Sequence, residues 1–211
     1  MNEVKHFELN TKGNDYCVGD IHGCFAKLQQ QLDEMGFNPE VDRLFSVGDL
    51  VDRGPDSEAA LEWLAKPWFH AIAGNHEQMA IDAAQGLVDW DLYEYKGGKW
   101  FKELHESVRY YYAEVFRKLP LAMEVETSDG LVGIVHGDSP PDWNQIREFN
   151  NHRLLWGRQR FNSKNTKDVE NVVSVYCGHT PVETIQQYGN VFFIDTGAVF
   201  GGELSIVKIG P

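Results

Sequence analysis

The chain has 211 residues, 42% of them hydrophobic, and carries 32 acidic against 19 basic side chains for a formal net charge of −13. That length suits a single domain across 1–211 with a sizeable core, and the acidity disfavours a nucleic-acid partner, which would require a basic face. No apolar run approaches the roughly 18 residues of a membrane span, the polar start (Asn2, Glu3, Lys5, His6) lacks a secretory apolar region, and three cysteines (Cys17, Cys24, Cys177) without CxxC spacing argue against a disulfide framework and for a cytoplasmic location.

In chain order, Asn14 to Gly19 reads as a buried strand ending in glycine. Phe25, Leu28, Leu32 and Met35 follow at helical spacing, with Gly36 and Pro39 as stops. Arg43 to Val47 is a second strand. Asp56 or Ser57 can cap a helix through Leu61 and Leu64 to Pro67. Trp68 to Ala73 is a third strand, and Glu77 begins another helix. This β-α-β-α-β-α run predicts a parallel sheet whose strand C-termini face one way.

Lys99 to Lys118 reads as a helix carrying Tyr110, Tyr111 and Tyr112. Beyond it, Leu121–Thr127, Leu131–Val135, Val172–Tyr176, Val191–Ile194 and Leu204–Ile209 read as strands. Turn signals such as Ser128-Asp129-Gly130 and Gly189-Asn190 separate several of them. A second sheet of mixed or antiparallel strands is expected from this half. The fold class is therefore α/β: a two-sheet mixed β-sandwich flanked by helices, with the active site at the strand C-terminal edge.

Chemistry-bearing residues concentrate in short glycine-flanked runs: Gly19-Asp20-Ile21-His22-Gly23, Gly48-Asp49-Leu50-Val51-Asp52-Arg53-Gly54, Gly74-Asn75-His76-Glu77, His136-Gly137-Asp138 and Gly178-His179-Thr180. The first three sit at strand exits, so the topology brings them together. Asp20 and His22, two apart on such an exit, can aim at one metal. Asp49 can bridge two metals through its two oxygens. Asn75 offers an amide oxygen, and His136 and His179 offer imidazoles. Mixed oxygen and nitrogen ligation suits Mn²⁺, Fe²⁺ or Zn²⁺ better than an all-oxygen Mg²⁺ or Ca²⁺ cage. From Arg153 to Lys167 there are five basic residues and no Asp or Glu, a stretch that could receive a phosphate.

With these motifs in place the chain resembles the phosphoprotein phosphatase family of calcineurin-like metallophosphoesterases, and within it the phage and bacterial serine/threonine phosphatases. The pattern GDxHG, GDxVDRG, GNHE, a later His and GHT is present in order, and Asp195-Thr196-Gly197-Ala198 fits the ending. The resemblance implies the calcineurin-like fold. It assigns Asp20, His22 and Asp49 to a first metal, and Asp49, Asn75, His136 and His179 to a second. His76 matches the general acid, Asp52 its orienting partner and Arg53 a phosphate-binding arginine. Arg158, in Leu154-Leu155-Trp156-Gly157-Arg158, looks like the second such arginine, with Arg160 two residues away. One departure is Ala73, where the family often has arginine.

Two divalent ions, most simply Mn²⁺ with Fe²⁺, Zn²⁺ or Ni²⁺ as other candidates, would sit roughly 3.5–4 Å apart and share a bridging hydroxide that attacks phosphorus directly. Two cations, two ligand carboxylates and that hydroxide leave a balance of about +1, which Arg53 and Arg158 raise to about +3, enough to attract a phosphate dianion. The expected activity is hydrolysis of phosphoserine and phosphothreonine in proteins, with phosphotyrosine and phosphohistidine as further substrates. An alternative is a dinucleoside polyphosphate hydrolase, which shares GDxHG. Another is a phosphoprotein-binding module without activity, although no ligand or acid is missing.

Other residues have plainer expectations. His6, His70, His105 and His152 lie outside the motifs and read as structural. Glu77 reads as a charge at a helix N-terminus. Asp138 and Asp195 read as residues that bond backbone, Trp156 as packing, and the cysteines as small buried apolar groups. The aromatic segment from Trp90 to Phe101, with Tyr93, Tyr95 and Trp100 around Gly97-Gly98, reads as packing or as the wall of a substrate groove.

Overall fold

The computed structural model describes residues 3–210. After β1 (Val4–Phe7), the strands β2 (Asp15–Val18), β3 (Arg43–Ser46) and β4 (Phe69–Ala71) lie side by side and parallel, with Val18 opposite Ser46 and Ser46 opposite Ala71. Helix α1 (Phe25–Met35) connects β2 to β3, and α2 (Ala60–Leu64) connects β3 to β4. Helix α3 (Asn75–Ala84) leaves β4 directly. The expected β-α-β-α-β-α run is present. α1 forms where Phe25, Leu28 and Leu32 make one buried stripe, and it stops at Gly36 in the left-handed region (φ 71°).

The second sheet has the order β1-β5-β6-β7-β9-β8, using β5 (Ala122–Thr127), β6 (Gly130–Val135), β7 (Ser174–Cys177), β8 (Gln186–Tyr188) and β9 (Val191–Phe193). The first has the order β10-β2-β3-β4, closed by β10 (Ile206–Ile209). Alternation along each strand sorts side chains into layers. On β3, Phe45 enters the layer between the sheets with Phe7, Cys17, Met123 and Ile134, while Leu44 faces the helices with Phe25 and Leu28. On the far side of the second sheet, Val135 and Val175 pack under Trp143 and Leu154. Gly133 lies under the Trp143 ring, where a Cβ would stand 2.4 Å or slightly more from ring atoms.

Four expectations are corrected. The second sheet is not built from the second half alone: β1 joins it parallel to β5, with Val4 opposite Ala122. Conversely β10 crosses to the first sheet, antiparallel to β2, with Ile206 opposite Val18. Both pairings are set by which layer Phe7 and Ile209 fill, a long-range choice that local pattern does not carry. The helix expected over Lys99–Lys118 is two, α5 (Lys99–Glu103) and α6 (Glu106–Phe116). Leu104 and His105 are extended, and the His105 ring accepts the Ser107 amide as a cap. The helix ahead of β4 begins as a 3-10 turn over Ser57–Ala59 and ends at Leu64; Asp56 gives it no side-chain cap. Among the described residues no helix is long and apolar enough to cross a membrane.

Phe45 is fully buried between the sheets. Phe45→Ala should lower stability by about 3–5 kcal/mol, read as a fall in the urea midpoint with the slope of the transition unchanged.

Candidate metal centre and active site

The loops that follow β2, β3, β4, β6, β7 and β9 deliver, in turn, Asp20 and His22, then Asp49, Asp52 and Arg53, then Asn75 and His76, then His136, His179 and Asp195. Within each sheet these strands run parallel, so their C-terminal ends form one edge. Seven non-glycine residues among those described have positive φ, and five belong to this edge: His22 (43°), Asp49 (50°), Asp52 (71°), Arg53 (67°) and His179 (66°). Side chains rarely adopt this region without surrounding structure that forces it. The glycines beside them allow close approach: a Cβ on Gly48 (φ 93°) would stand 2.6 Å from the amide nitrogen of Gly74.

Asp49 is at the centre. One carboxylate oxygen lies 3.5 Å from His22 Nε2 and 3.9 Å from His76 Nε2, and the other 3.4 Å from His136 Nε2. Asn75 Oδ1 lies 2.8 Å from His136 Nε2 and 2.7 Å from His179 Nδ1. Two groups of donors result, His22 with Asp49 and His76, and Asp49 with His136 and His179, in each of which the donor atoms lie within 4.8 Å of one another. Asp20 is in neither group; both its oxygens accept the His179 amide at 3.1 Å. The Nδ1 atoms of His22 and His136 each sit 2.8 Å from a carbonyl, of Val51 and Val47, which fixes the hydrogen there and leaves the Nε2 lone pair facing inward.

The electrostatics call for cations. Burial holds both His22 and His179 down at about 3, so both rings are neutral. Burial alone would raise Asp49, but the imidazoles of His136 and His76 outweigh it and hold the carboxyl well below its usual range. Asp20 is pushed well above that range by burial, then by Asp195 and Asp49. Asp20, Asp49 and Asp195 are all nearly inaccessible, and among the described residues none has a Lys or Arg within ion-pair distance. Buried carboxylates with no Lys or Arg beside them, faced by imidazoles and one amide oxygen, fit divalent first-row ions.

Around this cluster, His76 Nδ1 is 2.7 Å from Asp52 Oδ2 and its buried Nε2 has no hydrogen-bond partner. Arg53 Nη1 reaches His22 Nε2 at 2.5 Å. Of the two arginines after Trp156, Arg158 donates to the His179 carbonyl at 3.0 Å. Arg160 is turned away onto the carbonyls of Asn165 and Lys167. Asp138 accepts the amides of Gln159 and Arg160, and Asp195 that of Gly197. The Trp156 ring packs edge-on to His179. Ala73 is buried and donates its amide to the Pro120 carbonyl. All three cysteines are unpaired.

Sequence reading missed two features. Glu77 does more than face a helix terminus: its carboxylate accepts the amides of Gly74 (2.7 Å), Asp49 (2.9 Å) and Leu50 (2.8 Å), tying two site loops together. Tyr93 and Trp100 donate to Asp52 Oδ1 at 3.0 and 2.6 Å. Tyr93 is inaccessible and lines no groove, whereas Tyr95 is 84% exposed. The glycine pair between these aromatics was a visible signal, but the acceptor was not.

The sequence profile of the calcineurin-like phosphoesterases matches residues 16–201. The chain belongs to that family. This phosphoesterase is 39% identical over 198 residues to serine/threonine-protein phosphatase 1 of Salmonella typhimurium, covering 92% of this chain and 91% of the relative. It is 33% identical over 147 residues to a symmetrical bis(5'-nucleosyl)-tetraphosphatase of Coxiella burnetii, covering 68% of this chain and 48% of that one. Among solved structures, a putative diadenosine tetraphosphatase superposes with a TM-score of 0.70 at 21% identity, covering 99% of this chain and 94% of the other, a likeness of fold.

Glu77→Gln in this phosphoesterase replaces one acceptor oxygen with a donor that faces amide hydrogens. Metal affinity should fall about 10–100-fold, measured by titrating metal-stripped protein with Mn²⁺.

Proposed function

We propose that this phosphoesterase is a dinuclear metal-dependent phosphomonoesterase that hydrolyses phosphoserine and phosphothreonine in proteins. The observation that carries this reading is the buried Asp52–His76 pair, whose free Nε2 faces the Asp49 cluster. A serine alkoxide is a poor leaving group and needs a proton as its bond to phosphorus breaks. A nucleotide phosphate departs as a stable anion and does not. A positioned proton donor is therefore useful to the first substrate class and dispensable for the second.

In this reading Asp20, His22 and Asp49 hold one divalent cation and Asp49, Asn75, His136 and His179 hold another. Bound there, Mn²⁺, or Fe²⁺, Zn²⁺ or Ni²⁺ in its place, supplies Lewis acidity toward water and the phosphoryl oxygens. Arg53 and Arg158 bind the oxygens that are not displaced and hold phosphorus in line. His76 gives its Nε2 proton to the departing serine oxygen, while Asp52 keeps Nδ1–H oriented and stabilises the charged ring before transfer. The near full-length match to a phosphatase supports a phosphoprotein partner. The unpaired cysteines support a reducing compartment such as the cytoplasm.

A second reading, hydrolysis of dinucleoside polyphosphates, is favoured by the tetraphosphatase relatives, although this chain spans about half their length. Assays of Mn²⁺-loaded protein with a phosphoserine peptide and diadenosine tetraphosphate side by side decide between them. A higher kcat/KM on the peptide is expected, and a higher value on the dinucleotide overturns the proposal. His76→Asn should lower kcat on the peptide by about 10²–10⁴-fold with metal content unchanged. Asp20→Asn should lower both activity and metal content. Chelation should abolish turnover, and added Mn²⁺ should restore it.

A further inference from the structure

We infer that Tyr93 and Trp100 are positioning residues that lock the Asp52 carboxylate so that His76 can deliver its proton to a poor leaving group. The inference rests on the reading of His76 given above and extends it to a segment to which that reading gives no role.

Asp52 is fully buried, and both its oxygens are committed. Oδ2 faces His76 Nδ1 at 2.7 Å. Oδ1 accepts the Tyr93 hydroxyl at 3.0 Å and the Trp100 indole N–H at 2.6 Å. The Asp52 amide donates to Ser57 Oγ at 2.8 Å, holding the backbone at φ 71°. An indole N–H can only donate, and burial together with the Asp52 charge keeps the Tyr93 hydroxyl protonated. Two fixed donors thus stabilise the charged carboxylate, fix its plane and leave one oxygen for the histidine. Without them Asp52 would be free to rotate, and the His76 ring that it holds would no longer be aimed by a fixed carboxylate. Proton delivery would weaken.

The segment that carries them is built for this. Helix α4 (Trp90–Tyr93) runs into a wide turn over Glu94–Gly98 and then α5. A Cβ on Gly98 would stand 2.5 Å from the Tyr93 ring, so this glycine lets the ring lie against the chain. The Gly97 carbonyl accepts the Arg53 amide at 3.3 Å, so the same turn also holds the residue after Asp52. Phe101 packs edge-on to Tyr93, and Tyr112 to Trp100, which restrains both donors.

The test uses Mn²⁺-loaded Tyr93→Phe and Trp100→Phe, each alone and each combined with His76→Asn. Substrates are a phosphoserine peptide and p-nitrophenyl phosphate, whose phenolate leaves without a proton. Each single variant should lose about tenfold in kcat on the peptide, with KM and metal content unchanged, and less than about twofold on the aryl ester. On the peptide, neither should slow His76→Asn further, because both act through that residue. Equal losses on the two substrates, or a further loss in the His76→Asn background, would show a merely structural role and overturn the inference. His76→Asn slowing the peptide selectively while neither single variant does so overturns the inference alone. His76→Asn slowing both substrates alike overturns the reading of His76, and the inference with it. Tyr93→Phe keeps the ring and its packing, so it carries the test if Trp100→Phe does not fold.

Discussion

The Glu77 carboxylate, buried at the start of α3, is the tie on which the candidate site depends. It accepts amides from Gly74, which caps its own helix, and from Asp49 and Leu50 on the loop after β3. The positive-φ loop after β3 and the turn into α3 are thereby held at one separation, and Asp49 and Asn75 ride on them. Burial pushes Glu77 up to about 7, and the Asp49 charge adds to this. The amides offset part of that cost, because hydrogen bonds to a carboxylate favour its charged form. One buried acidic side chain here fixes the backbone that positions another, Asp49.

The same logic extends outward in shells. Of the imidazoles that face Asp49, those of His136 and His22 have their outer nitrogens tied to the carbonyls of Val47 and Val51. Those carbonyls belong to the loop that carries Asp49, so the ring orientations and the positive-φ backbone are one arrangement. Asp52, three residues on, repeats it with His76 on one oxygen and the two aromatics on the other. Asp49 and Asp52 are thus each engaged through both carboxylate oxygens, which fixes the two side chains at the centre of the candidate site.

Much of this was legible in the sequence because the chemistry is local to short motifs. Gly19 to Gly23, Gly48 to Gly54 and Gly74 to Glu77 each place their polar residues within a few positions of a strand end, and three parallel strands suffice to bring them together. What was not legible depends on distant partners. Nothing near Tyr93 or Trp100 names Asp52, 41 and 48 residues away. Arg158 and Arg160 look alike until the helical turn over Gln159–Ser163 sends one toward His179 and the other onto carbonyls. The break at Leu104-His105 has no glycine or proline to announce it. β8, reading Gln-Gln-Tyr, has no apolar alternation and exists because β9 offers it an edge.

The exchange of β1 and β10 between the sheets bears on how the molecule assembles. Each sheet is completed by a strand drawn from the opposite end of the chain. Such pairings close large loops, and their entropic cost comes before the contacts that repay it. Collapse of the β2-β3-β4 unit around α1 can run ahead, since its contacts are close in sequence. Without the second sheet and β10, that unit would expose the Cys17 and Phe45 faces and an unpaired β2 edge, a surface prone to self-association. Refolding yield should therefore be sensitive to protein concentration well before the native contacts of the polar edge are in question.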